Sequence, residues 1–140
     1  MKHQKHGVCH CINLRRATNR VTSLYDKALL PAGISTSQFS MLAHIERLQP
    51  VSVSALAADL ELERTTVIRT LKSLLTSGWV IDSAAGSAQK SRALALTPAG
   101  IAVINKARPL WVAAQEAIEQ RLGPGGIEQL EMLLDQLNFE

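Results

Sequence analysis

The stretch LAADLELERTTVIRTLKSLLTSGWV, residues 56–80, contains two short amphipathic segments on either side of a tight turn. Ser52 can cap the first helix, and the second opens at or just before Glu63 and ends at Gly78. The next stretch, residues 79–96, has two apolar ends around a small, polar, Gly-containing centre, which predicts a β-hairpin with a long tip. The order is therefore two short helices followed by a two-stranded ribbon, which we call the wing.

Two helices precede this stretch. A long helix is expected from Val8 to about Leu30, where Pro and Gly follow and stop propagation. Ser35 and Gln38 have the spacing of a capping box and predict the start of a second helix, which Pro50 terminates.

Two more helices follow the wing. Thr97 before Pro98 gives an N-cap and a first-turn proline, which open a long helix through about Leu122. Pro109 falls inside that helix and should kink it. After a Gly-Pro-Gly-Gly break, residues 127–139 form a final amphipathic helix. The predicted class is mainly α with a small two-stranded wing, in a single domain over residues 1–140.

Length and composition bound the class of protein. With 140 residues the chain can bury a core without disulfides or a structural metal. No run approaches the ~18 apolar residues of a membrane span, and the first residues are polar rather than a signal segment. Two cysteines one residue apart cannot build a secreted disulfide framework. We expect a cytoplasmic protein without a bound cofactor or metal.

The second short helix has two chemically distinct faces. At ~100° per residue, one side carries the apolar residues Val67, Leu71, Leu74 and Leu75. The opposite side is rich in hydroxyls and cations and has no acid; it consists of Thr65, Thr66, Arg69, Lys72, Ser73 and Thr76. Arg64 lies nearer the packed side. This order of elements with such a helix is that of a winged helix-turn-helix, in which the second helix enters the DNA major groove.

The residue types on the outward face suit DNA recognition. Thr65 and Thr66 would reach bases or phosphates, because threonine offers a donor, an acceptor and a methyl group. Arg69 can bond guanine with two parallel hydrogen bonds, whereas Lys72 would neutralise phosphate.

Three further residues are candidate DNA contacts. Ser52 stands at the start of the first short helix, and Lys90 and Arg92 lie in the wing, where they could follow the backbone or enter the minor groove.

The chain resembles MarR-type transcriptional regulators in residues 56–80, in the wing end RALALTPAG at 92–100, and in its flanking long helices. The resemblance implies a winged-helix dimer whose first and last helices interlock, and repression relieved by a phenolic, oxidant or other small ligand. The family's wing usually carries an Asp-x-Arg pair at its tip. Here Arg92 matches the arginine, but no aspartate precedes it within the sequence Ala-Gln-Lys-Ser.

The final helix favours a homodimer. It carries more apolar residues than one short element needs, namely Ile127, Leu130, Met132, Leu133, Leu134 and Leu137. A two-fold dimer would cover them and predicts a pseudo-palindromic DNA site; the alternative is that this helix packs within its own chain. We expect dimerisation helices over 8–34 and 98–140 and a DNA-binding lobe over 35–97.

The cysteines permit three interpretations. If both lie on a helix, Cys9 and Cys11 point about 200° apart, which disfavours a disulfide between them. A metal site is one alternative, because His3, His6 and His10 crowd the same segment. Small buried thiols at a dimer seam are another.

The third interpretation is a redox sensor. Arg15 lies four residues after Cys11, on the same helical face, where its charge favours a thiolate. Organic-hydroperoxide repressors of the MarR type carry a reactive cysteine in the first helix and a tyrosine fourteen residues later, which Cys11 and Tyr25 match. The earlier tyrosine of that pattern falls at Arg15.

A ligand pocket could involve His44 and Trp111, although a lone histidine on such a helix also suits a structural role. No phosphate loop, Ser/His/Asp order or paired-carboxylate motif is present, so we expect no enzyme. The sequence thus predicts a DNA-binding regulator, with a repressor as the leading form; the alternative is a winged-helix module for protein contact, which would show exposed apolar anchors on residues 64–76.

Overall fold

The computed structural model describes residues 7–84 and 92–139. The elements in chain order are α1 (His10–Leu29), a 3-10 turn (Leu30–Ala32), α2 (Thr36–Leu48), α3 (Val53–Leu60), α4 (Arg64–Thr76), β1 (Val80–Asp82), β2 (Leu94–Leu96), α5 (Pro98–Leu122) and α6 (Gly126–Asp135). The predicted class, mainly α with a two-stranded wing, is confirmed. Within these ranges, no helix combines the length and apolarity that crossing a membrane requires.

Local side-chain caps fix where several helices begin. Ser35 Oγ accepts from the backbone N–H of Gln38 at 3.2 Å, and Gln38 Oε1 accepts from that of Ser35 at 2.9 Å, so the predicted capping box is confirmed. Ser52 caps α3 through Ala55 N at 3.1 Å. Thr97 caps α5 in the same way, with Pro98 as its first residue.

The wing strands pair antiparallel, with Val80 opposite Leu96 and Asp82 opposite Leu94. Val51, between α2 and α3, exchanges two backbone hydrogen bonds with Leu94, at 3.1 and 2.8 Å. The start of the helical pair is therefore hydrogen-bonded directly to β2.

α2 lies at the centre of the fold and packs against α1, α3, α4, α5 and β2. The largest fully buried side chains are Leu29, Leu42, Ile45, Leu56, Val67, Leu71, Leu74, Leu94 and Ile104. Each such side chain stabilises the fold by about 1.5–3 kcal/mol. Because α4 contributes three of them, its inward face is anchored and its outward face has a fixed direction.

Some predicted boundaries were wrong. α1 begins at His10 rather than Val8, with Cys9 as an extended N-cap residue. The final helix begins at Gly126 and ends at Asp135, earlier than the predicted 139. α5 runs through Pro109 as one helix; the kink there stays a prediction.

Candidate nucleic-acid interface and ligand cavity

The outward face of α4 has the predicted composition. Val67, Leu71 and Leu74 are buried. The exposed side chains opposite them are Thr65, Thr66, Arg69, Lys72 and Thr76. Hydroxyl, guanidinium and ammonium groups therefore point away from the core, while buried leucines and a valine pack the opposite face of α4 against it.

Two residues of α4 depart from the helical-wheel prediction, and a third had no predicted place. Ser73 is only half-exposed: its hydroxyl accepts from Gln38 Nε2 at 3.3 Å and donates to the Thr70 carbonyl at 2.7 Å. Arg64, placed near the packed side, is exposed instead. Ile68 is also 44% exposed, so the face includes one large apolar side chain. Ser73 thus links α4 to α2 by a hydrogen bond. Arg64 adds a third exposed cation to Arg69 and Lys72.

The turn between α3 and α4 positions the start of α4. Glu61 ends α3 in the left-handed region, with φ of 53°. Its N–H donates to the Ala58 carbonyl at 3.2 Å, and Leu62 N–H donates to that of Ala57 at 3.0 Å. These bonds reverse the chain within a few residues. The Ser52 hydroxyl at the other end of α3 is occupied by its own cap.

The wing brings an aspartate to Arg92. Arg92 Nε lies 3.9 Å from Asp82 Oδ2, at the end of the two strands that leads into the wing tip. The aspartate of the Asp-x-Arg motif is absent, and Asp82, ten residues earlier in the sequence, lies beside Arg92 instead. Lys90 lies outside the described residues.

A cavity of about 390 Å³ lies where α1, α2 and α5 meet. It is lined by Val21, Thr22, Tyr25, Thr36, Phe39, Ser40, Ala43, His44 and Trp111. Phe39 and Trp111 stack with ring centroids 5.7 Å apart. The two residues predicted for a pocket, His44 and Trp111, both line this cavity, with aromatic faces and a few hydroxyls around them.

His44 lies between the cavity and α3. Its Nδ1 is 2.6 Å from the Ser40 carbonyl oxygen, and its Nε2 is 3.5 Å from Asp59 Oδ2. The same carboxylate oxygen accepts a hydrogen bond from Arg47 Nη2. A cavity-lining side chain on α2 therefore touches the first helix of the DNA-binding pair.

Tyr25 belongs to the cavity rather than to Cys11. Its hydroxyl donates a hydrogen bond to Gln115 Oε1 on α5. Burial, and secondarily the negative charge of Glu119, raise the pKa of Tyr25 above its usual value. Fourteen residues of helix span roughly 21 Å, so Cys11 and Tyr25 of one chain do not meet.

Cys9 and Cys11 are free and exposed in the single chain. Because Cys9 precedes the helix, the 200° separation expected between them does not apply. Arg15, one turn after Cys11, is exposed as well. Within residues 7–84 and 92–139, no three His, Cys, Asp or Glu side chains converge on a metal position, and His3 and His6 lie outside those ranges.

Comparisons with known proteins identify the family. A sequence model of the MarR family matches residues 34–83. The transcriptional regulator MosR of M. tuberculosis, solved in complex with DNA, is 33% identical over 93% of this chain and 93% of its own, with a TM-score of 0.81. The chain belongs to the MarR family. A comparison with curated protein sequences gives no match.

More distant MarR-like structures share the fold. The transcriptional repressor CouR, bound to a 23-mer DNA duplex, is 22% identical over 98% of this chain and 97% of its own, with a TM-score of 0.83. A mutant MarR from E. coli, complexed with operator DNA, is 21% identical over 89% and 90%, with a TM-score of 0.80. The winged-helix fold is therefore confirmed.

Membership of the MarR family makes the chain a DNA-binding transcriptional regulator, and MarR regulators act as dimers. They are transcription factors without enzymatic activity. The family match at 34–83 covers α2, α3, α4 and β1, so the MarR signature coincides with the part of the chain that carries the predicted DNA-contacting helix.

Proposed function

We propose that this MarR-family chain represses transcription by binding a pseudo-palindromic DNA site as a homodimer, in the cytoplasm and without a catalytic step. The observation that carries the proposal is the outward face of α4, which joins exposed threonines to exposed Arg69 and Lys72 and has no acid between residues 64 and 76. Such a face fits the major groove, where arginine reads guanine and hydroxyls reach bases or phosphates.

Each α4 and wing residue has a proposed role. Arg69, near the middle of the exposed face, reads a base, and Thr65 and Thr66 contact bases or phosphates near the start of the helix. Lys72 neutralises phosphate. Arg92 reaches the DNA beside the major groove from the wing.

Ser52, whose hydroxyl oxygen caps α3 as an acceptor, acts at the DNA through the orientation of that helix or by donating its O–H to a phosphate. Lys90 is assigned the same phosphate-contacting role as Lys72.

Exposed apolar surface supports the homodimer. The described residues of α6 and the chain after it expose Leu130, Met132, Leu133, Leu134, Leu137 and Phe139 by 39–89%. α1 adds Ile12, Leu14 and Val21, each more than 40% exposed. Leaving this much apolar surface in water is unfavourable, and a two-fold interface between two copies would remove it. We therefore assign residues 8–34 and 98–140 to dimerisation and 35–97 to the DNA-binding lobe.

The cavity supports release by a small ligand. It is bordered by α1 and α5 on the dimerisation side and by α2 on the DNA-binding side. A ligand that displaced His44 would disturb its contact with Asp59 on α3. That displacement would shift the position of α3 and α4, and with it the spacing of the two recognition helices in the dimer.

Thiol oxidation is the second proposed signal. Exposure of Cys9 and Cys11 gives an oxidant access to both sulfurs in the single chain. Arg15 supplies a positive charge one turn from Cys11. Within one chain Tyr25 is engaged with Gln115, so any tyrosine near an oxidised Cys11 would have to come from the partner copy.

Selection from a random-sequence DNA pool tests the proposal. The purified protein should enrich one duplex with two related half-sites about one helical turn apart, and its affinity should fall steeply with salt. Enrichment of no sequence, with binding equally weak to every duplex, would instead support a winged-helix module for protein contact.

A further inference from the structure

The tip end of the wing strands contains a charge pair between a shielded carboxylate and an exposed guanidinium. Asp82 is the last residue of β1, and its Oδ2 lies 3.9 Å from Arg92 Nε. The Asp82 side chain is 17% exposed, whereas that of Arg92 is 46% exposed. The aspartate therefore contacts one edge of the arginine from the protein side and leaves the rest accessible to a partner in solvent.

The Asp82 carboxylate is itself held in place. Its Oδ1 accepts hydrogen bonds from the backbone N–H groups of Ala84 and Ala93, both at 3.0 Å. Ser83 adds two bonds to the Ala93 carbonyl oxygen, from its N–H at 2.9 Å and its hydroxyl at 3.0 Å. The carboxylate is thus hydrogen-bonded to the chain on both sides of the wing tip. Its negative charge therefore has a fixed position beside Arg92.

We propose that Asp82 is a positioning residue that orients Arg92 toward DNA. The inference rests on the proposed function, because it concerns the DNA contact of Arg92. An arginine already held near its bound direction loses less conformational freedom when it meets a phosphate or a base edge.

The direction in which DNA affinity changes when the Asp82 charge is removed tests the proposal. A negative charge beside a DNA-contacting surface repels phosphates, so its removal alone should tighten binding. If Asp82 positions Arg92, its removal should weaken binding. Asp82→Asn separates these cases, since asparagine keeps the Oδ1 acceptor for Ala84 and Ala93 but loses the charge.

The experiment is a fluorescence-anisotropy titration on the duplex selected by the wild-type protein. We compare wild type, Asp82→Asn, Arg92→Ala and the double variant. Asp82→Asn should raise Kd roughly threefold, and Arg92→Ala about tenfold. In the Arg92→Ala background, Asp82→Asn should cause no further weakening, because no arginine remains to be oriented. A purely structural role would weaken both backgrounds equally.

Two further variants complete the design. Glu46→Gln is the matched control: the Glu46 side chain pairs with Arg108 at 2.9 Å between α2 and α5, and the Kd of this variant should stay unchanged. Arg92→Lys leaves Asp82 intact and keeps the charge but lacks Nε. It should weaken binding, and adding Asp82→Asn to it should have less effect than in wild type.

Unchanged or tighter binding by Asp82→Asn overturns the inference while the proposed function stands. Equal weakening with and without Arg92 does the same. A wild-type protein that selects and binds no duplex overturns the proposed function and this inference together.

Discussion

Replacing Gly100 with alanine should push apart the wing and α5 where Trp79 meets Thr97 and Gly100, a contact we call the joint. An ideal Cβ at Gly100 would lie 2.1 Å from the carbonyl oxygen of Trp79, far inside van der Waals contact. The same oxygen accepts a hydrogen bond from Thr97 N–H at 3.1 Å. Trp79 leads into β1 and Thr97 caps α5, so backbone on both sides of the joint must shift by about 1 Å to admit the methyl group.

The expected change in the free energy of unfolding combines two destabilising contributions and one stabilising contribution. Overpacking of this kind costs about 1–3 kcal/mol, and weakening the hydrogen bond between Thr97 and Trp79 adds about 1 kcal/mol. Alanine is favoured over glycine in a helix by up to about 1 kcal/mol, which offsets part of this. The expected loss in the free energy of unfolding of Gly100→Ala is therefore about 2 kcal/mol.

Urea denaturation at one fixed protomer concentration measures this loss, because dimer stability depends on concentration. Ala102→Gly, at an exposed position of the same helix, isolates the helix preference and should destabilise by up to about 1 kcal/mol. If Gly100→Ala unfolds at the same urea concentration as wild type, or at a higher one, the close approach of Gly100 to Trp79 does not constrain the joint.

Three other predictions concern separate parts of the molecule. Lys72→Ala should weaken binding to all duplexes about equally and, because the dimer carries two copies of Lys72, reduce the salt slope by about two in anisotropy titrations. Asp26→Ala should lower the free energy of unfolding in urea by about 1–3 kcal/mol, because Asp26 Oδ1 accepts from the N–H and hydroxyl of Thr36 at 2.8 and 2.6 Å and joins α1 to α2. An organic hydroperoxide should release wild-type protein from DNA and leave Cys11→Ser bound.

Each of these has a contradicting outcome. A selective loss at one base pair in Lys72→Ala would make Lys72 a base reader. An unchanged free energy of unfolding in Asp26→Ala would mean that the contact with Thr36 does not stabilise the fold. Binding that an oxidant leaves unaltered in both proteins would make Cys9 and Cys11 packing residues and leave the signal to the cavity around His44 and Trp111.

The features read correctly from the sequence are those set by neighbours in the chain. The Ser35 and Gln38 capping box, the Thr97 cap and the inward leucines of α4 depend on spacings of three or four residues, and the structure has all of them. The hairpin was also predictable, because two short apolar runs surround a polar centre.

The features that were missed depend on contacts between distant segments. A helical wheel does not show that Gln38 reaches Ser73, or that Asp82 faces Arg92 across the sheet. Nor does a fourteen-residue spacing show that Tyr25 is bonded to Gln115 on α5. Such pairings follow from how α2, α5 and the wing pack, which only the folded chain determines.

Whether Arg69 reads a base decides whether α4 is the sequence-reading helix. We would titrate wild type, Arg69→Ala and the control Arg108→Ala against the selected duplex and against duplexes with single base-pair changes in each half-site. We expect Arg69→Ala to lose about 1–3 kcal/mol per half-site and no longer to discriminate one symmetric pair of positions, while Arg108→Ala behaves as wild type. Full affinity and unchanged discrimination in Arg69→Ala would contradict the assignment of α4 as the sequence-reading helix.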